Sequence, residues 1–154
     1  MSRLASAKSS LYSTPLGRPW PVLVLRVSGP HNGPDCLEGL ADGDIREIPC
    51  EHPEQAGEIV RSERPIAALV HVGRRVTETA RKAITKLAEA APRLRLIALV
   101  EREATASPEL AELVGKGLIY DFHTLPLDRQ RLMGNLGHVA GLVALEAKAD
   151  VSEH

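Results

Sequence analysis

Five apolar runs recur along the chain, and each is followed by a segment long enough to form a helix. The runs are rich in Val, Ile, Leu and Ala and contain few polar residues, which is typical of strands buried on both faces of a parallel sheet. Parallel strands need crossover connections of a dozen residues or more, usually helices. The pattern predicts an α/β fold with a five-stranded parallel sheet in (βα)5 order and helices on both faces. The expected strands cover residues 21–27, 44–50, 66–72, 94–100 and 118–123.

Several helix-start signals lie between these runs. Thr77 is a suitable N-cap for a helix that ends before Pro92. Ser107, Pro108 and Glu109 combine a cap, a proline in the first turn and an acid near the positive end of the helix dipole. The expected helices cover residues 30–43, 53–62, 77–91, 107 to Gly115 or Gly117, and 128–147.

Chain length, net charge and cysteine spacing limit the number of domains, the classes of partner and the cellular compartment. A chain of 154 residues fits one domain with a full core. The formal net charge of −1 lacks the basic excess of a nucleic-acid-binding domain, so we expect no direct nucleic-acid contact. No apolar run approaches the ~18 residues that span a bilayer, so we expect no membrane contact. Cys36 and Cys50 lack the CxxC spacing, which favours two free thiols in the cytoplasm over a disulfide.

The two ends of the chain differ in composition from the middle. Residues 1–19 are rich in Ser and contain basic residues but no acid. That composition leaves open an organelle transit peptide, but without an amphipathic pattern a disordered leader is favoured. We therefore expect a leader at 1–19, one domain at 20–147, and the start of a linker or tail at 148–154.

The carboxyl ends of the predicted strands lack the chemistry of an active site. Ligands gather at these ends in parallel α/β sheets, and a magnesium ion there needs oxygen ligands. The chain instead places apolar side chains, a guanidinium and an imidazole at these positions, and it has no nucleophile motif such as Gly-x-Ser-x-Gly. We expect no catalytic residue, no metal and no cofactor. The positions concerned are Arg26, Val27, His71, Val100 and Leu125.

Two histidines lie on predicted strands. Histidine can be phosphorylated or can bind a metal, but no cluster of His, Cys or Asp surrounds His71 at ligand spacing. A packed or hydrogen-bonded histidine is therefore the favoured interpretation for His71, and the same holds for His123.

The segment from Leu118 to Asp128 carries a family resemblance. A short apolar strand there reaches a Thr-Leu-Pro turn, and Asp128 opens the last helix. The whole span of residues 20–147 resembles the receiver domain of bacterial response regulators, which has a CheY-like (flavodoxin-like) fold. In receivers the turn after the last strand is usually Thr-Lys-Pro. The resemblance implies that Leu125 replaces the phosphate-contacting lysine and that His71 replaces the aspartate that accepts the phosphoryl group.

The resemblance also assigns the remaining positions. It implies that Arg26 and Val27 replace the acidic pair that holds magnesium, and that Val100 replaces the switch hydroxyl. The chain's single Phe, Phe122, keeps the switch aromatic position. Two interpretations of Val100 and Phe122 remain open: a switch frozen in one packing state, or a single core aromatic.

A narrower resemblance concerns the C-terminal part. The segment ending at Asp128, with Leu132, Gly137-His138 and Gly141, is similar to the degenerate N-terminal receiver of VpsR-type sigma-54-dependent transcription activators, relatives of FleQ. This resemblance implies control of transcription of biofilm, exopolysaccharide or motility genes through an AAA+ effector domain. It also implies cyclic di-GMP as an effector in some members, with Arg74 and Arg75 as candidate contacts.

Two hypotheses follow. The first is a noncatalytic pseudo-receiver that forms a homodimer through the face made by the last strand and the last two helices. The second is a sensor that binds cyclic di-GMP or a small anion in the vacated pocket. Gly134, Gly137 and Gly141 form a smooth strip on the last helix, which serves either a helix-to-helix dimer contact or tight packing on the domain's own sheet.

Overall fold

The sheet has the predicted architecture. In the computed structural model, which describes residues 18–26 and 44–152, five parallel strands form one sheet in the order β2-β1-β3-β4-β5. The predicted α/β, CheY-like (flavodoxin-like) fold is therefore confirmed. The strands are β1 (Trp20–Arg26), β2 (Ile45–Cys50), β3 (Ala67–Gly73), β4 (Arg95–Val100) and β5 (Asp121–Thr124).

Four α-helices connect or follow these strands in the described part of the chain. They are α1 (Ala56–Glu63), α2 (Glu78–Ala90), α3 (Pro108–Gly115) and α4 (Arg129–Ser152). A 3-10 turn, Pro53–Gln55, leads into α1, and a second, Arg102–Ala104, precedes α3. The helix expected at 30–43 lies outside the described residues.

Two apolar clusters pack on the two faces of the sheet. One lies beneath α1, α2 and α3 and includes Leu23, Val70 and Val100. The other lies beneath α4 and includes Leu69 and Leu99. Alternate residues of a strand point to opposite faces, so the residues of β1, β3 and β4 are divided between the two clusters. β3 is buried along its whole length, as expected for the central strand of a sheet covered on both sides.

The predicted helix caps form. The Thr77 hydroxyl accepts a hydrogen bond from the Ala80 backbone N–H at 3.0 Å. The Ser107 hydroxyl accepts one from the backbone N–H of Leu110 at 3.2 Å. At the start of α4 the Asp128 carboxylate accepts one from the Arg131 backbone N–H at 3.2 Å. Each oxygen satisfies an N–H that has no partner within its own helix.

The last strand and the last helix differ from their predicted bounds. β5 begins at Asp121 rather than Leu118, because the backbone N–H groups of Leu118 and Ile119 donate to the Leu113 carbonyl and close α3. The prediction of a strand over residues 118–120 rested only on their apolar side chains. α4 continues to Ser152 instead of ending at 147, so it enters the segment expected to begin a linker.

Candidate functional site

The expected pocket positions lie at or near the carboxyl edge of the sheet. Arg26 ends β1, Val100 ends β4, and Leu125 follows β5 directly. His71 lies within β3, paired in register with Arg26 on one side and Leu99 on the other. We call Arg26, His71, Val100 and Leu125 the degenerate pocket; Val27, expected to belong to it, lies outside the described residues.

His71 is enclosed by the protein. Its side chain is only 3% exposed. It alternates along β3 with Leu69, a member of the cluster beneath α4, so it points to that same face. The imidazole is therefore shielded from a phosphoryl donor or a metal ion in solution.

The other members of the degenerate pocket supply no oxygen ligand. The Arg26 guanidinium lies 3.2 Å from a carboxylate oxygen of Glu47. Leu125 is buried, and its backbone N–H donates to the Val100 carbonyl at 2.8 Å. Among the described residues, no three His, Cys, Asp or Glu side chains stand close enough to share a metal ion.

Val100 and Phe122 pack on the same face of the sheet. Val100 is fully buried in the cluster beneath α1, α2 and α3, and Phe122 is half-buried against that cluster. Phe122 pairs in register with Ala98, two positions away from the Val100–Thr124 pair. Both the frozen-switch interpretation and the core-aromatic interpretation are compatible with this packing, so both stay predictions.

Arg74 and Arg75 lie on the loop after β3 and point toward solvent. The Arg74 side chain is 83% exposed, with its Nε 3.7 Å from a carboxylate oxygen of Glu103. Arg75 is exposed as well. Ligand sensing through them stays a prediction.

A polar network that the sequence did not reveal joins β5 to α4. The Asn135 side-chain nitrogen lies 2.9 Å from a carboxylate oxygen of Asp121 and 2.9 Å from the Nε2 of His123. An amide nitrogen only donates, so it gives one hydrogen to each partner, and the neutral His123 ring carries its proton on Nδ1. Asp121 and His123 are two residues apart on a strand, which places them on one face, but nothing local indicates Asn135.

Burial controls the charge state of His123. Its side chain is 3% exposed. Desolvation lowers the pKa of His123 below its ordinary value, and the charge of Arg131 acts in the same direction. The carboxylates of Asp121 and Asp128 oppose this shift. The neutral ring is thus the form that this network accommodates.

The glycine strip of α4 divides into two kinds of position. A Cβ atom on Gly137 would lie 3.4 Å from the Cη2 atom of Trp20, so this glycine packs closely on the domain's own strand β1. A Cβ atom on Gly134 or Gly141 would meet nothing within 4 Å. These two glycines face outward, and Leu145, one turn beyond Gly141, is 64% exposed.

Sheet order and helix placement define a domain with the CheY-like receiver fold. The chain belongs to the VpsR domain family, whose model matches residues 21–137. No curated protein sequence matches it significantly. Within the described residues, no helix combines the length and apolarity that a membrane span requires.

Several solved structures have a similar fold over most of this chain. The signal receiver domain of a candidate LuxO repressor from Vibrio parahaemolyticus aligns with 84% of this chain and 95% of its own, at 15% identity and a TM-score of 0.56. A response regulator from Desulfuromonas acetoxidans aligns with 80% of this chain and 98% of its own, at 21% identity and a TM-score of 0.57. NtrX from Brucella abortus, in complex with ADP, is similar to 84% of this chain at 16% identity and a TM-score of 0.60, over 29% of the NtrX chain. At these identities the likeness establishes the fold.

Proposed function

We propose that this domain is a noncatalytic pseudo-receiver that regulates an effector domain by contact instead of by aspartate phosphorylation. The observation that carries the proposal is the enclosure of His71, which the resemblance to receivers places at the position of the acceptor aspartate. Aspartyl phosphate formation needs a magnesium ion with oxygen ligands in near-octahedral geometry. The side chains of Arg26, Val100 and Leu125 contain no oxygen, so they cannot complete such a site.

Phosphorylation chemistry tests the proposal directly. The protein is incubated with acetyl phosphate and Mg²⁺, and separately with beryllofluoride and Mg²⁺, and is then examined by intact-mass and NMR spectroscopy. We expect no added phosphate and no change in the spectrum. A response regulator with a complete pocket serves as the positive control, and stoichiometric phosphorylation of the wild-type protein would refute the proposal.

A single substitution sharpens this test. His71→Asp restores an acceptor carboxylate but leaves the magnesium-binding acids and the lysine missing. We expect this variant, once circular dichroism shows that it is folded, to remain unphosphorylated as well. Efficient modification of His71→Asp would mean that the rest of the site still supports the chemistry, contrary to the role assigned to Arg26, Val100 and Leu125.

The effector that we propose is the AAA+ domain of a sigma-54-dependent transcription activator, and the place of action is the cytoplasm. Membership of the VpsR domain family supports this partner. The fold match to a small part of NtrX supports the idea that such a domain works within a longer protein. The domain itself makes no proposed contact with nucleic acid or membrane. A Walker motif encoded after this domain in the same reading frame is the expected finding, and an unrelated enzyme domain there would contradict it.

We further propose that the domain forms a homodimer through α3, β5 and α4. The described residues with large exposed hydrophobic side chains are Val114, Tyr120 and Leu145, and all lie on this face or beside it. The open positions at Gly134 and Gly141 let a second helix approach the α4 backbone closely. A two-fold dimer would bring each of these surfaces against its own copy.

A further inference from the structure

A cleft of about 420 Å³ opens at the amino-terminal edge of the sheet, the edge opposite the degenerate pocket. It lies between the end of α1, the starts of β3 and β4, and the second half of α4. Its volume falls within the range of small-molecule sites. The wall is mainly apolar and includes Val60, Ile66, Leu94, Val143 and Ala144.

The charged rim of the cleft is positive on balance. Arg64, Arg93 and Glu146 reach it. The two carboxylate oxygens of Glu146 lie 3.0 and 3.3 Å from the guanidinium nitrogens of Arg95. Arg95 therefore compensates Glu146, and Arg64 remains beside an apolar wall.

Arg64 has an unusual backbone conformation for its residue type. It follows α1 with φ 50° and ψ 56°, in the left-handed region where glycine is the usual residue. A residue with a Cβ atom costs on the order of 1 kcal/mol there. No described residue makes a hydrogen bond or ion pair with the Arg64 guanidinium. The chain thus keeps, at a position that favours glycine, an arginine that lines the cleft and whose guanidinium has no partner among the described residues.

We infer that this cleft binds a small amphipathic carboxylate, an anion with an apolar body of medium length. Its carboxylate would accept two parallel hydrogen bonds from Arg64, because a planar guanidinium matches carboxylate geometry. Its apolar body would lie against Ile66, Leu94 and Val143, removing these surfaces from water. Contact with Val143 and Ala144 would couple the bound ligand to the second half of α4. The inference is independent of the proposed role of the degenerate pocket.

Three probes separate the charge of the ligand from its apolar body. Titration calorimetry on the whole protein uses three probes: decanoate below its micelle-forming concentration, decanol below its solubility limit, and acetate. We expect decanoate to bind, and decanol and acetate each to bind at least about tenfold more weakly, because each lacks one of the two interactions. In methyl NMR spectra decanoate should shift Val60, Ile66, Leu94 and Val143, but not Val114.

A matched pair of variants tests the role of Arg64. Arg64→Gly removes the guanidinium and suits the left-handed backbone, so this variant should fold and should bind decanoate about tenfold more weakly. Arg61→Ala removes a charge from the same helix outside the cleft and should leave binding unchanged. Ala144→Leu fills the cleft from α4 and should also weaken binding.

Four results of the binding experiments would overturn the inference. They are the absence of decanoate binding, equal affinities for decanoate and decanol, unchanged affinity in Arg64→Gly, and tighter binding of a peptide ending in leucine than of decanoate. Concentration-dependent shifts of the cleft methyl groups without ligand would also overturn it, because they would make the cleft a contact between two copies of the chain.

Discussion

His123 illustrates how one buried side chain sets a pH response. Its pKa lies below the ordinary value of 6.5 because burial penalises the charged ring. As pH falls below 6.5, the unfolded chain takes up a proton at this position before the folded protein does. The neutral His123 ring therefore makes its full contribution to the free energy of unfolding above this pH. That contribution is lost as pH falls through the folded-state pKa.

We predict that His123→Gln reduces the dependence of the free energy of unfolding on pH below the ordinary histidine pKa. The free energy of unfolding is measured in urea from pH 7.5 down to about 5, a range that spans the ordinary histidine pKa. It should fall with pH in the wild type, and the slope of this free energy against pH should be smaller in the variant. The exposed His138 provides the matched control, since His138→Gln should keep the wild-type slope. The pKa values of Glu54, Glu112 and Glu146 are lowered from 4.5, so their contributions are lost only at more acidic pH. Parallel profiles for wild type and His123→Gln would contradict the assignment.

Glycines on one helix should respond differently to the same substitution. Gly137→Leu would force a side chain against Trp20, and overpacking of this kind costs about 1–3 kcal/mol. Gly134→Leu adds a side chain at an open position and replaces a helix-interior glycine, so it should not destabilise the folded domain. Thermal and urea unfolding at low protein concentration checks the difference. Equal destabilisation by the two variants would mean that Trp20 does not limit the space at Gly137.

At the level of elements, helix starts depend on single hydroxyl groups. Thr77→Ala removes the acceptor of the Ala80 N–H bond and should lower the free energy of unfolding by about 1 kcal/mol. Thr79→Ala, inside the same helix and exposed, should be neutral or slightly stabilising because Ala has the higher helix propensity. Denaturant unfolding of both variants tests the cap, and a loss in Thr79→Ala as large as that in Thr77→Ala would reject it.

Most elements could be predicted from the sequence because their signals are local. Caps such as Thr77 and Ser107 and breakers such as Pro92 act on the backbone within a few residues of themselves. The bounds of β5 were wrong because Leu118 and Ile119 are as apolar as strand residues, while a hydrogen bond to Leu113 commits their backbone to the end of α3. Which partner a backbone N–H takes depends on geometry that composition does not contain.

At the scale of the whole molecule, the proposed dimer can be tested by charge at the glycine strip. Gly141→Arg places a charged side chain at the open position on α4 and should convert a dimer into a monomer in sedimentation velocity experiments. Ser62→Arg adds the same charge on α1, on the other face of the sheet, and should leave the dimer intact. A wild-type protein that stays monomeric at all accessible concentrations would exclude this dimer.

The candidate site was only partly predictable, since two kinds of information contribute to it. The resemblance to receivers predicts the degenerate-pocket positions along the chain, including His71 and Leu125, and these positions stay a prediction. It could not indicate that Asn135 bridges Asp121 and His123, or that Arg64 meets the second half of α4 at a cleft. These contacts join residues from separate elements, so they exist only once the helices are docked.

The sequence by itself determined the class of fold, the order of the strands along the chain and the helix starts, because hydrophobic period and capping are properties of residues and their near neighbours. Tertiary structure alone decided which glycines of α4 have space for a side chain, which polar groups form hydrogen bonds, and where a cleft remains. Those features depend on how surfaces from distant parts of the chain meet, and packing fixes that arrangement only when the whole domain is assembled.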